Sequence, residues 1–200
     1  MVGFGTQFID VELDGRLDLI VTNGHVDDLS IRGRPFRMRP QLFRNVGEGR
    51  FVEERSPSLG PFFEEKHLGR GLARLDWNRD GREDVLISHL DTPVALLSNQ
   101  TSDVGHFLAV QLRGVTRSRD AIGTVVRVTT GQRSFTQQLT AGDGYQSSNQ
   151  RQLVFGLGAA EQVETLSVKW PSGETQQFDR IPIDCELLFV EGQAKPIQLP

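Results

Sequence analysis

Two hundred residues, 37% hydrophobic and 24% charged, suit one large soluble domain or two small ones with a real core. A formal net charge of -4 argues against general nucleic-acid binding, which needs basic surface, and no apolar run approaches the length of a transmembrane segment. A single cysteine, Cys185, excludes an intramolecular disulfide, and 21 glycines and 12 phenylalanines favour short strands and tight turns.

The N-terminal stretch MVGFGTQFIDV has neither a charged n-region nor an apolar h-region, so it holds no signal peptide. It runs straight from a strand-like segment into an acidic loop, the expected texture of a fragment of a longer protein. That loop opens DVELDGRLDLIV (10–21), with Asp10, Glu12, Asp14, Gly15 and Asp18 in register. QLFRNVGEGRFVEE then reads as a hairpin around Gly47-Glu48-Gly49. DWNRDGREDVLI (76–87) repeats the acidic pattern 66 positions later, at Asp76, Asn78, Asp80, Gly81 and Asp84, and TPVALLSNQ matches the first hairpin's outer strand. Repetition at a fixed offset marks propellers and solenoids. Residues 1–100 are therefore read as two β-repeats.

The polar stretch NQTSDVG (99–105) is the best boundary. Beyond it, HFLAVQLRG, TVVRVTT, RSFTQQLT, RQLVFGLG, TLSVKW, ETQQF and CELLFVEG give about seven short strands with turn signals between them. Residues 105–192 are read as an antiparallel β-sandwich domain. The expected fold is all-β: two propeller-blade-like repeats followed by that sandwich.

The acidic loops have the spacing of calcium sites. Ca²⁺ is a hard ion that takes roughly six to eight oxygens. In a curled loop, positions 1, 3 and 5 converge, glycine at position 6 allows the turn, and a carbonyl and a carboxylate complete the shell. The second loop offers Asp76, Asn78, Asp80, the Arg82 carbonyl and Asp84. The first offers Asp10, Glu12, Asp14, the Arg16 carbonyl and Asp18, with Glu12 one methylene longer than the usual Asp or Asn. Neither is an EF-hand, because position 12 is Val21 or Ile87 within a strand-like run and flanking helices are absent from the pattern. The competing reading is a solvated Asx-rich turn; the matched second copy favours metal.

Other features carry less. Arg32, Arg34, Arg37, Arg39 and Arg44 suit an exposed inter-blade loop, with Asp27 and Asp28 near enough to pair with them. His25, His67, His89 and His106 form no short metal pair, and Cys185 between Asp184 and Glu186 makes a poor nucleophile. AGDGYQSSNQ (141–150) surrounds the only tyrosine, Tyr145, which with Trp170 could form a sugar-stacking surface or else pack on the sandwich.

DVELDGRLDLIVTNG and DWNRDGREDVLISH resemble FG-GAP/VCBS repeats, the blades of integrin-like β-propellers. RDAIGTVVRV, AGDGYQSSNQRQLVFGLG and VKWPSGETQQF resemble the ASPIC/UnbV domain, which typically ends chains of the cartilage acidic protein type. The resemblance implies calcium-stabilised blades in secreted or surface proteins tied to adhesion, with ligands at Asp76, Asn78, Asp80, Asp84, Asp10, Asp14 and Asp18. A closed propeller needs at least four blades; two repeats must lean on the C-terminal domain or on blades outside this sequence. The expected function is a non-enzymatic, calcium-binding adhesion or assembly module, extracellular or at the cell surface. Its partner would be an unidentified protein or glycan, without nucleic acid or a transmembrane segment. The alternative is a carbohydrate-binding module using residues 141–150.

Overall fold

Apolar–polar alternation becomes short strands from end to end of the computed structural model, which describes residues 1–55 and 57–200, Ser58 without its side chain. The first repeat is a four-stranded antiparallel sheet in the order β1 (Gly3–Ile9), β2 (Asp18–Asn23), β3 (Gln41–Asn45), β4 (Phe51–Glu54). The second repeat has three strands, β5 (Gly69–Leu75), β6 (Asp84–His89) and β7 (Ala95–Leu97). The offset of 66 survives in detail. Phe8 pairs with Leu19 as Arg74 pairs with Val85, and a register irregularity falls between Gly3 and Thr6 as it does between Gly69 and Leu72.

The two sheets stack face to face. Ile9, Ile20 and Leu42 of the first meet Leu72, Val85 and Ile87 of the second in one buried cluster. Each such side chain contributes about 1.5–3 kcal/mol by leaving water. The approach is close: a Cβ on Gly5 would sit 2.6 Å from Leu72 Cβ, and one on Gly69 would collide with the Thr22 side chain. Short 3₁₀ turns at Ser30–Arg32, Pro57–Leu59 and Pro61–Glu64 fill the connections. There Arg37 pairs with Asp91, while Asp28 instead accepts from Ser30.

The C-terminal part holds β8 (His106–Arg113), β9 (Val125–Thr130), β10 (Arg133–Gln138), β11 (Leu153–Gly158), β12 (Val163–Lys169), β13 (Thr175–Ile181), β14 (Cys185–Val190) and β15 (Ile197–Gln198). They form two sheets, in the orders β10-β9-β12-β13 and β11-β8-β14-β15. Inward residues of both sheets build one core, including Val126, Val128, Leu166 and Val168 from one and Leu108, Phe155, Leu157 and Phe189 from the other. Two points differ from the sequence reading. β14 runs parallel to β8, because the chain returns across the sandwich before pairing with it. The two-residue β15 lies beyond residue 192 and pairs with Leu187 and Leu188; so short an edge strand leaves no period to read.

Candidate functional site

Each acidic loop spans a β-hairpin, between β1 and β2 or between β5 and β6, and the two share one hydrogen-bond plan. The first carboxylate caps the turn: Asp10 accepts from Asp14 N (3.0 Å) and Gly15 N (2.8 Å), and Asp76 from Asp80 N (3.1 Å) and Gly81 N (2.9 Å). The third carboxylate accepts from the residue two on: Arg16 N to Asp14 (2.8 Å), Arg82 N to Asp80 (2.9 Å). The last carboxylate ties the loop to its start and to the end of the third strand or just past it. Asp18 accepts from Val11 N (3.3 Å) and Asn45 N (2.7 Å), and Asp84 from Trp77 N (3.1 Å) and Asn99 N (2.7 Å). The backbone bends alike, with positive φ at Leu13 and Gly15 and at Arg79 and Gly81. At the sixth position only glycine is both relaxed at that φ and small enough, since a Cβ on Gly15 would strike the Phe135 ring and one on Gly81 the Phe107 ring.

Asn45 and Asn99 were missed by sequence reasoning. Asn45 ends β3 and Asn99 lies two residues past β7, in LFRN and LLSN, and both deliver a backbone N–H to the last carboxylate. The matched Leu-x-x-Asn ending was the available signal.

Four of the candidate ligand carboxylates are buried: Asp10 is 3% exposed, Asp18 2%, Asp76 6% and Asp84 1%. Burial pushes Asp10 up to about 7 against its N–H donors from Gly15 and Asp14, and the nearby charges of Asp14 and Asp18 push the same way. Burial likewise raises Asp18 and Asp76. The outer acids are served by arginines. Glu12 pairs with Arg44, Asp14 with Arg16 and Asp80 with Arg82. Burial opposes ionisation of Asp80, but the Arg82 guanidinium and N–H, with the Asn78 amide, outweigh it and hold the carboxyl below its usual range.

These features bear on a metal in two ways. The donor chemistry fits a hard cation: every candidate ligand is oxygen, and buried carboxylates crowd one another. The grouping is incomplete, because among the described residues no three His, Cys, Asp or Glu side chains come together as a ligand cage. Guanidinium groups pair with Glu12, Asp14 and Asp80, so a cation would compete with Arg44, Arg16 and Arg82.

Both loops dock on the C-terminal sandwich, the first reaching both of its sheets. Gly105 N and Gly158 N donate to the carbonyls of Glu12 and Leu13, each at 2.8 Å, and Arg133 Nη2 donates to the Asp14 carbonyl at 2.8 Å. Leu13, 1% exposed, packs with Ala109 and Val154. In the second loop, Arg79 Nε bonds Glu186 at 3.0 Å, and Glu186 also accepts from Gln111 (2.6 Å) and Gln152 (2.5 Å).

The 141–150 loop differs from the sugar-stacking expectation. Trp170 is 2% exposed in the sandwich core, with its indole N–H on Gln176 at 2.7 Å, so it presents no face to a ligand. Tyr145 makes an edge-on contact with Phe4 at 5.0 Å between centroids, in the other half of the molecule. The loop's polar groups serve β1 and β5: Asn149 accepts from Arg74 N (2.8 Å), Gln150 from Asp76 N (2.7 Å), and Ser147 donates to the Leu72 carbonyl (2.8 Å). A polar loop composition signals hydrogen bonding but not its partner.

Two of the four histidines share an aromatic cluster. His67 and His89 pack with Phe62, at 4.2 and 5.8 Å between centroids, and with each other at 5.2 Å. His106 bonds Asp184, and burial together with Asp184 raises the Cys185 thiol.

The fold is thus all-β: two stacked β-repeats with twin acidic hairpin loops, joined to a β-sandwich. Residues 114–196 match the ASPIC and UnbV family, so most of the sandwich is similar to that domain, while β8 lies before the matched segment. No curated protein matches the chain.

Proposed function

We propose that the chain is a non-enzymatic extracellular or cell-surface module for adhesion or assembly, in which FG-GAP/VCBS-like repeats carry structural calcium in the two acidic loops. The observation behind this reading is the repeated hydrogen-bond plan around Asp10, Asp14 and Asp18 and around Asp76, Asp80 and Asp84. A solvated turn has no need to bury two carboxylates beside a third. Asp76, Asp80, Asp84, Asn78 and the Arg82 carbonyl would hold the ion in the second loop. Asp10, Asp14, Asp18, Glu12 and the Arg16 carbonyl would hold it in the first. Calcium there would neutralise carboxylates that burial leaves uncompensated, and binding only the folded loop stabilises it by mass action. Because both loops dock on the sandwich, that stabilisation reaches the joint between the two parts.

The test is thermal melting in millimolar calcium and in chelator. Calcium should raise the melting temperature by several degrees, on the order of the 2.7 kcal/mol expected at a hundredfold excess over Kd. Asp80→Ala should remove most of the second loop's share. Identical curves with and without chelator would refute the calcium reading. A glycan array with Tyr145→Ala as control addresses the carbohydrate alternative.

A further inference from the structure

The two repeats differ most in one connection. Between β6 and β7 the chain turns within residues 90–94, whereas between β2 and β3 it runs through residues 24–40. The longer connection holds one 3₁₀ turn, Ser30–Arg32. Loops of that length with so little secondary structure are uncommon in folded domains unless they carry function or are disordered. This one is tied down. His25 N donates to the Phe36 carbonyl at 2.9 Å, and Met38 and His67 exchange backbone hydrogen bonds, each of 2.9 Å. Asn23 Nδ2 donates to the Arg39 carbonyl at 2.8 Å, and Arg34 N reaches the Leu29 carbonyl at 3.3 Å.

The fold uses the backbone of this loop and leaves its cations in water. Arg32, Arg34, Arg37 and Arg39 are exposed, while Met38 between the last two is buried. Arg37 pairs with Asp91. Among the described residues Arg32, Arg34 and Arg39 form no ion pair. The acid nearest to them in sequence, Asp28, is taken by the hydroxyl and N–H of Ser30. The antiparallel bridge between Met38 and His67 sets Lys66, also exposed, across from Arg39. Glu64 and Glu65 precede Lys66 without pairing with any of these arginines.

We propose that this loop binds an anionic polysaccharide, through sulfate or carboxylate groups set along the polymer. A guanidinium is a planar fork that meets an oxyanion with two hydrogen bonds, and three unpaired forks on one loop suit a ligand that repeats such groups. The loop lies at the end of β2 away from the first acidic hairpin, so the polymer avoids those carboxylates. A protein partner fits less well, because such interfaces concentrate their energy in desolvated aromatic and apolar anchors. The loop exposes Val26 and Ile31 but no aromatic ring, since Phe36 is half-buried. Single-stranded nucleic acid lacks a stacking platform for the same reason. A flat anionic bilayer would also meet Asp27 and Asp28 beside Val26, whereas one polymer strand can pass them. The inference gives the adhesion reading a partner class and rests on none of the calcium candidates.

Titration calorimetry of the intact chain with dextran sulfate, polygalacturonate and plain dextran, in chelator and again in calcium, tests it. At least one charged polymer should bind in both conditions, and which of them binds separates sulfate from carboxylate. Plain dextran should not bind. Affinity should fall as salt rises, through counterion release. Arg32→Ala/Arg34→Ala/Arg39→Ala should weaken binding by about tenfold or more. Its melting curve should be unchanged, because the hydrogen bonds at these positions are made by backbone. Arg113→Ala/Arg117→Ala/Arg119→Ala removes the same charge from exposed arginines of the sandwich and should leave binding intact. Equal losses in the two triple variants would reduce the effect to net charge and overturn the proposal. Binding of plain dextran, binding that needs calcium, or binding of phosphatidylserine vesicles or single-stranded DNA but of neither charged polymer also overturns it, as does no binding at all. Identical melting curves with and without chelator would remove the calcium reading and leave this one standing.

Discussion

A methyl group at Gly156 would land on Asp10 Oδ2 and the Leu13 backbone, at the contact between β11 and the first acidic loop. Backbone on one side and a hydrogen-bonded carboxylate on the other leave nothing that can step aside. Gly156→Ala should therefore cost about 1–3 kcal/mol in urea unfolding, the usual range for overpacking. Glu191 gives a different single-residue test. The Ser172 hydroxyl, then the N–H groups of Thr116 and Val115, hold its carboxyl down to about 2, well below the usual glutamate value. A depressed acid stabilises the fold above its unfolded pKa, and that contribution fades as pH falls from about 4.5 towards 2. Glu191→Gln keeps an acceptor for Val115 N and Thr116 N but cannot titrate. Its melting temperature should fall less between pH 6 and pH 2.5 than that of the wild type; parallel acid limbs would show that the Glu191 charge does not matter.

Between elements, legibility followed sequence distance. The acidic loops could be read because their caps are local: Asp10 bonds residues four and five positions on, and Asp76 does the same. The repeat offset located β1, β2, β5 and β6 for the same reason. Asn45 and Asn99 were lost because they reach the loop across 27 and 15 positions. The role of residues 141–150 lay further off, since Asn149 bonds Arg74 across 75 positions and Gln7 across 142. The parallel pairing of β14 with β8 is hidden similarly, because strand periodicity carries no direction. The loop assignment has its own consequence. Asn149→Ala leaves the Arg74 N–H without its side-chain acceptor, a loss of about 1–3 kcal/mol if water cannot replace it. Amide exchange at Arg74 should quicken while exchange in β12 stays unchanged. Equal protection of Arg74 in the variant would mean that the loop only rests on β5.

At the scale of the whole molecule, the question is whether repeats and sandwich unfold as one unit. The only two tryptophans report on different parts. Trp77 sits in the second acidic loop, 56% exposed, donating its N–H to Asp84 and its indole N–H to Ser98 at 3.4 Å. Trp170 lies in the sandwich core. Trp77→Phe keeps the backbone N–H to Asp84 and leaves Trp170 as the sole emitter, so the difference from the wild type isolates the loop. With calcium, both signals should change at one temperature, because the loops dock through Gly105, Gly158, Arg133 and Glu186 onto the sandwich. In chelator, buried carboxylates lose their counter-charge and the Trp77 signal should melt first, leaving Trp170 several degrees behind. The order follows from where the cost lies: Asp76 is pushed up by burial in the repeat, whereas the core around Trp170 is apolar and gains nothing from the ion. Coincident transitions in chelator would mean that the Arg16, Arg44 and Arg82 pairings hold the loops without metal. A Trp170 signal that melts first would place the weak point in the sandwich and leave the acidic loops as turns.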